Sequence, residues 1–284
     1  MLRRSLLAAL PLMAAPAAAE TRLKAVATFS ILGDFVREIG GDRIDVAVLV
    51  GPDSDVHSYQ PRPRDARTLA AARLLVSNGL GLEGWIDRLA QAAAFRGQIV
   101  VASAGYPDAR DPHCWQDVAG ARSYVATIAA GLATADLAGE AFYRERARRY
   151  DARLVELDAW IRREIATVPV DRRRAIIAHR SFGYFSKAYG VEFSTPRGYS
   201  TESEATARDV AALIREARAQ KVSALFVENM TNPNLIEQIA HDSGATVGAR
   251  LYSDALSPPG GPAATYEAMM RHNVAALVAA MQRN

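Results

Sequence analysis

Three of the five histidines follow apolar runs that predict β-strands. His57 comes after IDVAVLV, His179 directly follows RRAIIA, and His113 lies in the long loop after QIVVAS. A carboxylate, Asp254, follows the run ATVGARLYS in the same way. In open α/β sheets, ligands bind at the carboxyl ends of the strands. We therefore expect these four side chains to lie at a ligand-binding edge.

Imidazole nitrogens and carboxylate oxygens are standard zinc ligands, usually in a tetrahedron with Zn–N distances of ~2.0–2.1 Å. Three imidazoles favour zinc, because manganese prefers more oxygen ligands. The spacing does not form a compact metal motif, so loop or capping roles stay open for each histidine taken alone. Cys114, the only cysteine, is an alternative soft ligand. Its position beside His113 makes joint ligation awkward, and we interpret it as a buried structural residue.

Other polar residues have simpler interpretations. His241 and His272 fall in helical patterns, where an imidazole lies on the surface or caps carbonyl groups. Glu228 follows the strand-like run VSALFV and is a candidate to orient a histidine ligand, although an ordinary salt bridge is the alternative.

The elements that must position these residues alternate between strand and helix. In the first half, strand patterns at LKAVATF, IDVAVLV, LLVSNG and QIVVAS are separated by helical patterns. From about residue 119 to 168 the strand signal disappears, and apolar residues at helical spacing extend over GEAFYRERARRYDARLVELDAWIRREIATV. After Pro169 the alternation resumes. The pattern predicts an α/β protein with two lobes of mainly parallel strands, joined by one long α-helix, with the metal site in the cleft between them.

We assign residues 20–138 to the first lobe, 139–168 to the connecting helix and 169–284 to the second lobe. Residues 1–19 have the basic start, short apolar stretch and small-residue cleavage pattern of a signal peptide. No cysteine stands at the cleavage point, so we expect a periplasmic protein that is not lipid-anchored. Basic and acidic residues are nearly balanced, 34 against 31, and interspersed, which argues against a nucleic-acid partner.

Several segments, taken together, resemble the metal-binding substrate-binding proteins of bacterial ABC importers, the zinc and manganese group. The resemblance covers the chain from about Ala25 to its C-terminus. It is carried by VATFSILGDFVREIGGDRIDVAVLVGPDSDVHSYQPRPRD, NGLGLEGWIDRL, DPHCW, AHRSFGYFSKAYGV and LYSDALS.

The resemblance implies a fold of two α/β lobes joined by a long helix, with metal ligands at His57, His113, His179 and Asp254. Proteins that resemble the manganese binders carry Glu where this chain has His179, so the resemblance implies the zinc subgroup. It also implies a function: the protein captures Zn²⁺ as cargo and delivers it to an ABC permease in the inner membrane. No enzymatic activity is expected.

The chain departs from the family pattern in two places. The interval SAGYPDARDPH is short and lacks the extra histidines of many zinc members, which favours loading by a periplasmic zinc metallochaperone. Ala205 stands where proline is usual. A monomer is the default expectation for this class.

Three other functions are alternatives to zinc capture. A manganese importer component is the alternative within the class, because affinity order alone does not report the physiological cargo. A zinc hydrolase needs an open coordination position, which a fourth protein ligand closes, and no HExxH motif is present. An adhesion or interaction protein on the same scaffold is the third.

Overall fold

The computed structural model describes residues 22–106 and 110–284. The predicted signal peptide lies outside these residues. Over the described residues the chain forms two parallel sheets of four strands each. Among them, no helix combines the length and the apolar composition that crossing a bilayer requires.

The first lobe contains a sheet with the strand order β2-β1-β3-β4. Its strands are runs of mostly apolar residues, as expected for a parallel sheet covered by helices on its faces. The register pairs Ala25 with Val46 on one side and with Leu74 on the other. The elements are β1 Leu23–Phe29, α1 Ser30–Gly40, β2 Ile44–Val50, α2 Pro63–Ala70, β3 Leu74–Ser77, α3 Ile86–Ala92 and β4 Gln98–Val101.

Two helices without intervening strands follow, α4 Val118–Ala135 and α5 Glu140–Ala166. With 27 residues, α5 measures ~40 Å at 1.5 Å per residue. Its buried stripe runs from Tyr143 to Ile165, and Phe142, which the helical spacing places in that stripe, is only partly buried. Arg153 of α5 contacts Glu38 on α1 and Glu267 on the last helix, so α5 is connected to both lobes.

The second lobe contains a sheet with the order β6-β5-β7-β8, and its strands are only two or three residues long. An isolated bridge between Glu228 and Leu251 continues the parallel pairing beyond β7. The elements are β5 Arg174–Ile176, α6 Gly183–Tyr189, β6 Glu192–Ser194, α7 Ala207–Gln220, β7 Ala224–Leu225, α8 Asn234–Ser243, β8 Thr246–Val247 and α9 Tyr266–Met281.

The predicted fold class is confirmed: two parallel-sheet lobes with a long helix between them. The exact lobe boundaries, at residues 138/139 and 168/169, stay a prediction. The larger hydrophobic core includes residues of both lobes and the buried stripe of α5, and a smaller core lies between the second sheet and the helices α7 and α8.

Candidate metal centre

The four predicted ligands meet between the lobes. His57 lies in the loop after β2, and His113 lies directly before a short 3₁₀ helix, Cys114–Gln116. His179 follows β5, and Asp254 follows the bridge residue Leu251. One ligand atom from each residue lies within 4.8 Å of all the others. Neighbouring ligands are more than fifty residues apart in sequence. They come together because the carboxyl edges of the two sheets face each other.

The carboxylate of Asp254 is at the centre of this group. Its Oδ2 lies 3.3 Å from Nε2 of His57 and 3.0 Å from Nε2 of His179. Its Oδ1 lies 3.6 Å from Nε2 of His113. All three histidines thus present the same ring nitrogen to one point.

The site is almost sealed from solvent. His57 is 8% exposed, and the other three residues are fully buried. Over the described residues, the Nε2 atoms of the three histidines and both oxygens of Asp254 are buried without a hydrogen-bond partner. Buried polar atoms are rarely left unpaired in folded proteins. Five of them converging on one point is the arrangement expected where a cation completes the bonding.

Carboxylates behind the histidines orient two of the rings. Oε2 of Glu228 lies 2.8 Å from Nδ1 of His179, and its Oε1 accepts hydrogen bonds from the backbone amides of Ala178 and His179. Oδ1 of Asp111 lies 2.9 Å from Nδ1 of His113. The hydrogen bond between Nδ1 of His113 and Asp111 fixes the tautomer that leaves the Nε2 lone pair available for a metal. The charge of Glu228 favours a proton on Nδ1 of His179 in the same way.

Burial and neighbouring charges shift the pKa values of the group in opposite directions. Burial lowers the pKa of His113. Burial also acts to lower the pKa of His179, but the neighbouring Glu228 and Asp254 raise it well above the usual value. Burial acts to raise the pKa of Asp254, yet His179 and His113 hold it well below the usual range. The carboxylate is therefore ionised and available as a ligand at neutral pH.

The loop that carries Asp254 is held by the first lobe on both sides. The carbonyl of Ser253 accepts hydrogen bonds from Trp115 Nε1 at 2.8 Å and from Gln116 Nε2 at 2.9 Å. The amide of Leu256 donates to Ser30 Oγ at 2.9 Å, and its carbonyl accepts from the amide of Asp53 at 3.0 Å. Asp254 is thus part of the second lobe in sequence, but the hydrogen bonds that hold its loop come from residues of the first lobe.

Other predicted residues lie outside the cluster. Cys114 is buried and is absent from the group of candidate metal ligands. His241 is exposed beside Asp242, and Nε2 of His272 lies 2.8 Å from the carbonyl of Arg250. Glu228 is fully buried against His179, so the alternative of a simple surface or loop salt bridge is wrong.

The sequence reasoning missed Asp111 and Gln116. A local signal existed for the first: both histidines of the first lobe occur as Asp-x-His, in DVH and DPH. An aspartate can accept a hydrogen bond from the amide two residues later. In the structure, Asp55 accepts from the amide of His57 at 2.9 Å and Asp111 from that of His113 at 3.1 Å. Nothing local marks Gln116, whose partner lies more than a hundred residues away.

Two lobes with parallel sheets, a long connecting helix and a sealed cluster of ligands between them define a binding protein of the periplasmic type. Residues 25–280 match the family described as zinc-uptake complex component A, periplasmic, and the chain belongs to this family. It is a metal-binding component of an ABC transporter and not an enzyme. Components of this kind work with a membrane permease and its ATPase.

Two relatives carry names that refer to manganese. The chain is 32% identical to the manganese-binding lipoprotein MntA of Halalkalibacterium halodurans, over 92% of this chain and 89% of the relative. It is 29% identical to the manganese ABC transporter substrate-binding lipoprotein PsaA of Streptococcus anginosus, over 89% and 87%. Similarity to manganese-named relatives leaves the predicted zinc subgroup unconfirmed.

Solved structures with the same fold carry both metals in their names. The periplasmic zinc-binding protein TroA from Treponema pallidum superposes with a TM-score of 0.88 at 30% identity, covering 92% of this chain and 99% of that one. A mutant of the periplasmic metal-binding protein from Candidatus Liberibacter asiaticus, in its Mn-bound form, superposes with a TM-score of 0.83 at 25% identity, covering 91% and 99%.

The relatives also correct the expectation about membrane attachment. The prediction of a periplasmic protein that is not lipid-anchored is wrong by this comparison, because MntA and PsaA are named lipoproteins. That prediction depended on residues around the cleavage point, which lie outside the described part of the chain.

Proposed function

We propose that the protein captures Zn²⁺ through His57, His113, His179 and Asp254 and delivers it to an ABC permease. One observation carries the proposal: three imidazole nitrogens and one carboxylate, all buried and without hydrogen-bond partners in the described chain, point to a common centre. Three nitrogens and one oxygen suit tetrahedral zinc. The buried Asp254 offsets part of the charge of a divalent ion, which reduces the cost of taking that ion out of water.

Manganese is the second candidate cargo, and the names of MntA and PsaA favour it. Its preference for more oxygen ligands counts against a site with three histidines. Both oxygens of Asp254 lie in the cluster. A manganese ion would need both of them as ligands to raise its number of oxygen ligands.

Two finer points extend the proposal. The protein acts as a monomer, because the four ligands come from one chain and none needs a second copy. A periplasmic metallochaperone supplies the ion, because the interval between Ala102 and His113 contains no other histidine that could recruit it.

The test is metal binding by the purified protein in competition with a chromophoric chelator, for Zn²⁺ and Mn²⁺ in parallel. The single substitutions His57→Ala, His113→Ala, His179→Ala and Asp254→Ala are compared with His241→Ala, which changes an exposed histidine. We expect one tight zinc site, weakened at least a hundredfold in each of the four variants and unchanged in the control. Because the affinity order favours Zn²⁺ over Mn²⁺ at most sites, the choice of cargo is tested separately. Manganese and not zinc in protein purified from cells supplied with both metals would overturn it. Unchanged zinc affinity in the four variants would overturn the site.

A further inference from the structure

The NGLGLEGW segment, residues 78–85, contributes no ligand but touches both ligand loops of the first lobe. It connects β3 to α3, at the carboxyl edge of the sheet. Among the segments that carry the family resemblance, it is the one without a candidate ligand. Its hydrogen bonds end on the residues directly before the two histidines of this lobe.

Trp85 holds the loop of His57. Its Nε1 donates a hydrogen bond of 2.9 Å to the carbonyl of Val56, the residue before the histidine. Its ring packs edge-on against Tyr59, two residues after the histidine, with 5.1 Å between ring centroids. Trp85 is 3% exposed, so its indole N–H has no access to bulk water as an alternative partner. The indole therefore holds the backbone before His57 and packs against a side chain after it.

Asn78 holds the loop of His113 in the same manner. Its Nδ2 donates a hydrogen bond of 3.0 Å to the carbonyl of Pro112, the residue before the histidine. Its Oδ1 accepts from the hydroxyl of Tyr124 at 2.6 Å, which fixes the orientation of the amide. Because Asn78 is fully buried, its amide group cannot exchange these partners for water.

The segment itself is held rigidly. Gly79, Leu80 and Gly81 all have positive φ values, of 85°, 55° and 77°. Leu80 is under steric strain in this conformation, which favours glycine. A Cβ on Gly79 would lie 2.5 Å from Val101 Cγ1, so the turn also requires close approach to β4.

Glu83 closes the turn. Its buried carboxylate accepts hydrogen bonds from the amide of Asn78 at 2.7 Å and from the amide of Gly79 at 3.2 Å. Thr28, on β1, donates to it at 2.6 Å. Strained backbone of this kind persists where the surrounding contacts over-determine it, and such places cluster at functional sites.

We propose that residues 78–85 are the positioning element of the metal site, with Trp85 acting through His57 and Asn78 acting through His113. The proposal rests on the proposed function, since it assumes that both histidines bind the metal. Each donor fixes the carbonyl that precedes its histidine, and thereby the point from which the imidazole side chain starts. Because ligands must be held close to their productive geometry, loss of either donor weakens the site without removing a ligand.

The test uses Trp85→Phe, which keeps an aromatic ring and removes the N–H donor, and Asn78→Asp, which keeps an acceptor for Tyr124 and removes the amide donor. Trp160→Phe, on α5, and Asn234→Asp, at an exposed helix start, are the matched controls. We expect the zinc Kd to rise about tenfold in each test variant and to stay unchanged in the controls. The visible absorption of bound Co²⁺ should also change in the test variants, because it reports ligand geometry.

Double variants identify the histidine through which each residue acts. In a His57→Ala background, Trp85→Phe should have no further effect on zinc affinity, whereas Asn78→Asp should still weaken it. In a His113→Ala background the pattern should reverse. Additive effects in both backgrounds would overturn the proposal, as would lowered thermal stability of the metal-free variants with zinc affinity and the Co²⁺ spectrum unchanged.

The same set of variants separates this proposal from the proposed function. If His57→Ala and His113→Ala keep full zinc affinity, the assignment of ligands fails. If those two variants lose affinity and Trp85→Phe and Asn78→Asp keep it, the ligands stand and only the positioning role fails.

Discussion

The indole Nε1 of Trp115 donates a hydrogen bond of 2.8 Å to the carbonyl of Ser253, across 138 residues of sequence. This bond joins the two lobes at the residue that precedes Asp254. Gln116 donates to the same carbonyl, so two side chains that follow His113 support the carboxylate ligand as well. One short 3₁₀ helix therefore couples the positions of two proposed ligands.

Removal of this support should weaken metal binding. We expect Trp115→Phe and Gln116→Leu each to raise the zinc Kd by less than tenfold, because the other donor remains in place. The double variant should raise it by more than the product of the two, since an unpaired buried carbonyl costs about 1–3 kcal/mol. Chelator competition measures all four proteins. Effects that simply multiply would show that the two donors act independently of each other and not through the shared carbonyl of Ser253.

A second prediction concerns Glu228. In Glu228→Gln, the side-chain oxygen can still accept from the amides of Ala178 and His179, but an NH₂ group then faces Nδ1 of His179. This donor favours the tautomer with the proton on Nε2, which opposes metal binding. We expect zinc affinity to fall by about 10–100-fold. Glu192→Gln, on an exposed position of β6, is the control. Equal zinc affinity in both variants would contradict an orienting role.

Proton release gives a third prediction. Because the pKa of His179 is raised, both of its ring nitrogens are protonated at neutral pH in the metal-free protein, and zinc must displace the proton on Nε2. The lowered pKa of His113 means that this histidine is already neutral. The zinc affinity should therefore rise with pH through neutrality, because the proton on His179 must leave before zinc can bind. Titration calorimetry in buffers of different ionisation enthalpy counts the protons, and a count of zero would contradict the prediction.

The sequence was sufficient for the strands of the first lobe, since LKAVATF and IDVAVLV coincide with β1 and β2. The second lobe was harder to predict, because β7 and β8 have two residues each and the apolar runs VSALFVE and ATVGARLYS extend well beyond them. The strand β6 was missed, because three residues carry no readable alternation. Its pairing with β5 depends on tertiary contacts.

In the candidate site, too, some residues were predictable from the sequence and others were not. The four proposed ligands were predictable because each follows a strand or lies in the loop after one. Residues in these positions meet at the carboxyl edge of a parallel sheet, where ligands bind. Their supports were not predictable from periodicity. The bond from Trp115 to Ser253 and the bond from Asn78 to Pro112 join distant loops whose contact exists only after both sheets have formed.

The last prediction concerns Asp34, a buried carboxylate on α1 that accepts a hydrogen bond of 2.8 Å from the amide of Tyr266 at the start of α9. Burial raises its pKa from 3.8 to about 6. A raised carboxyl pKa means that the folded protein binds a proton more tightly than the unfolded chain does. Ionised Asp34 therefore reduces the free energy of unfolding, and this reduction develops as the pH rises from about 4 to 6.

Asp34→Asn keeps an oxygen for the amide of Tyr266 and removes the charge. Relative to the parent protein, the free energy of unfolding of the variant should increase by about 3 kcal/mol as the pH rises from about 3 to 7, at 1.36 kcal/mol per pKa unit. Denaturant titrations at several pH values measure the difference, with Asp45→Asn, an exposed position of β2, as the control. A difference that is constant over this range would mean that Asp34 titrates alike in the folded and unfolded chain. The hydrogen bond from the amide of Tyr266 acts to lower the pKa of Asp34, so the contact between α1 and α9 favours the ionised carboxylate. The gain would therefore measure the cost of burying the charge, only part of which this contact offsets.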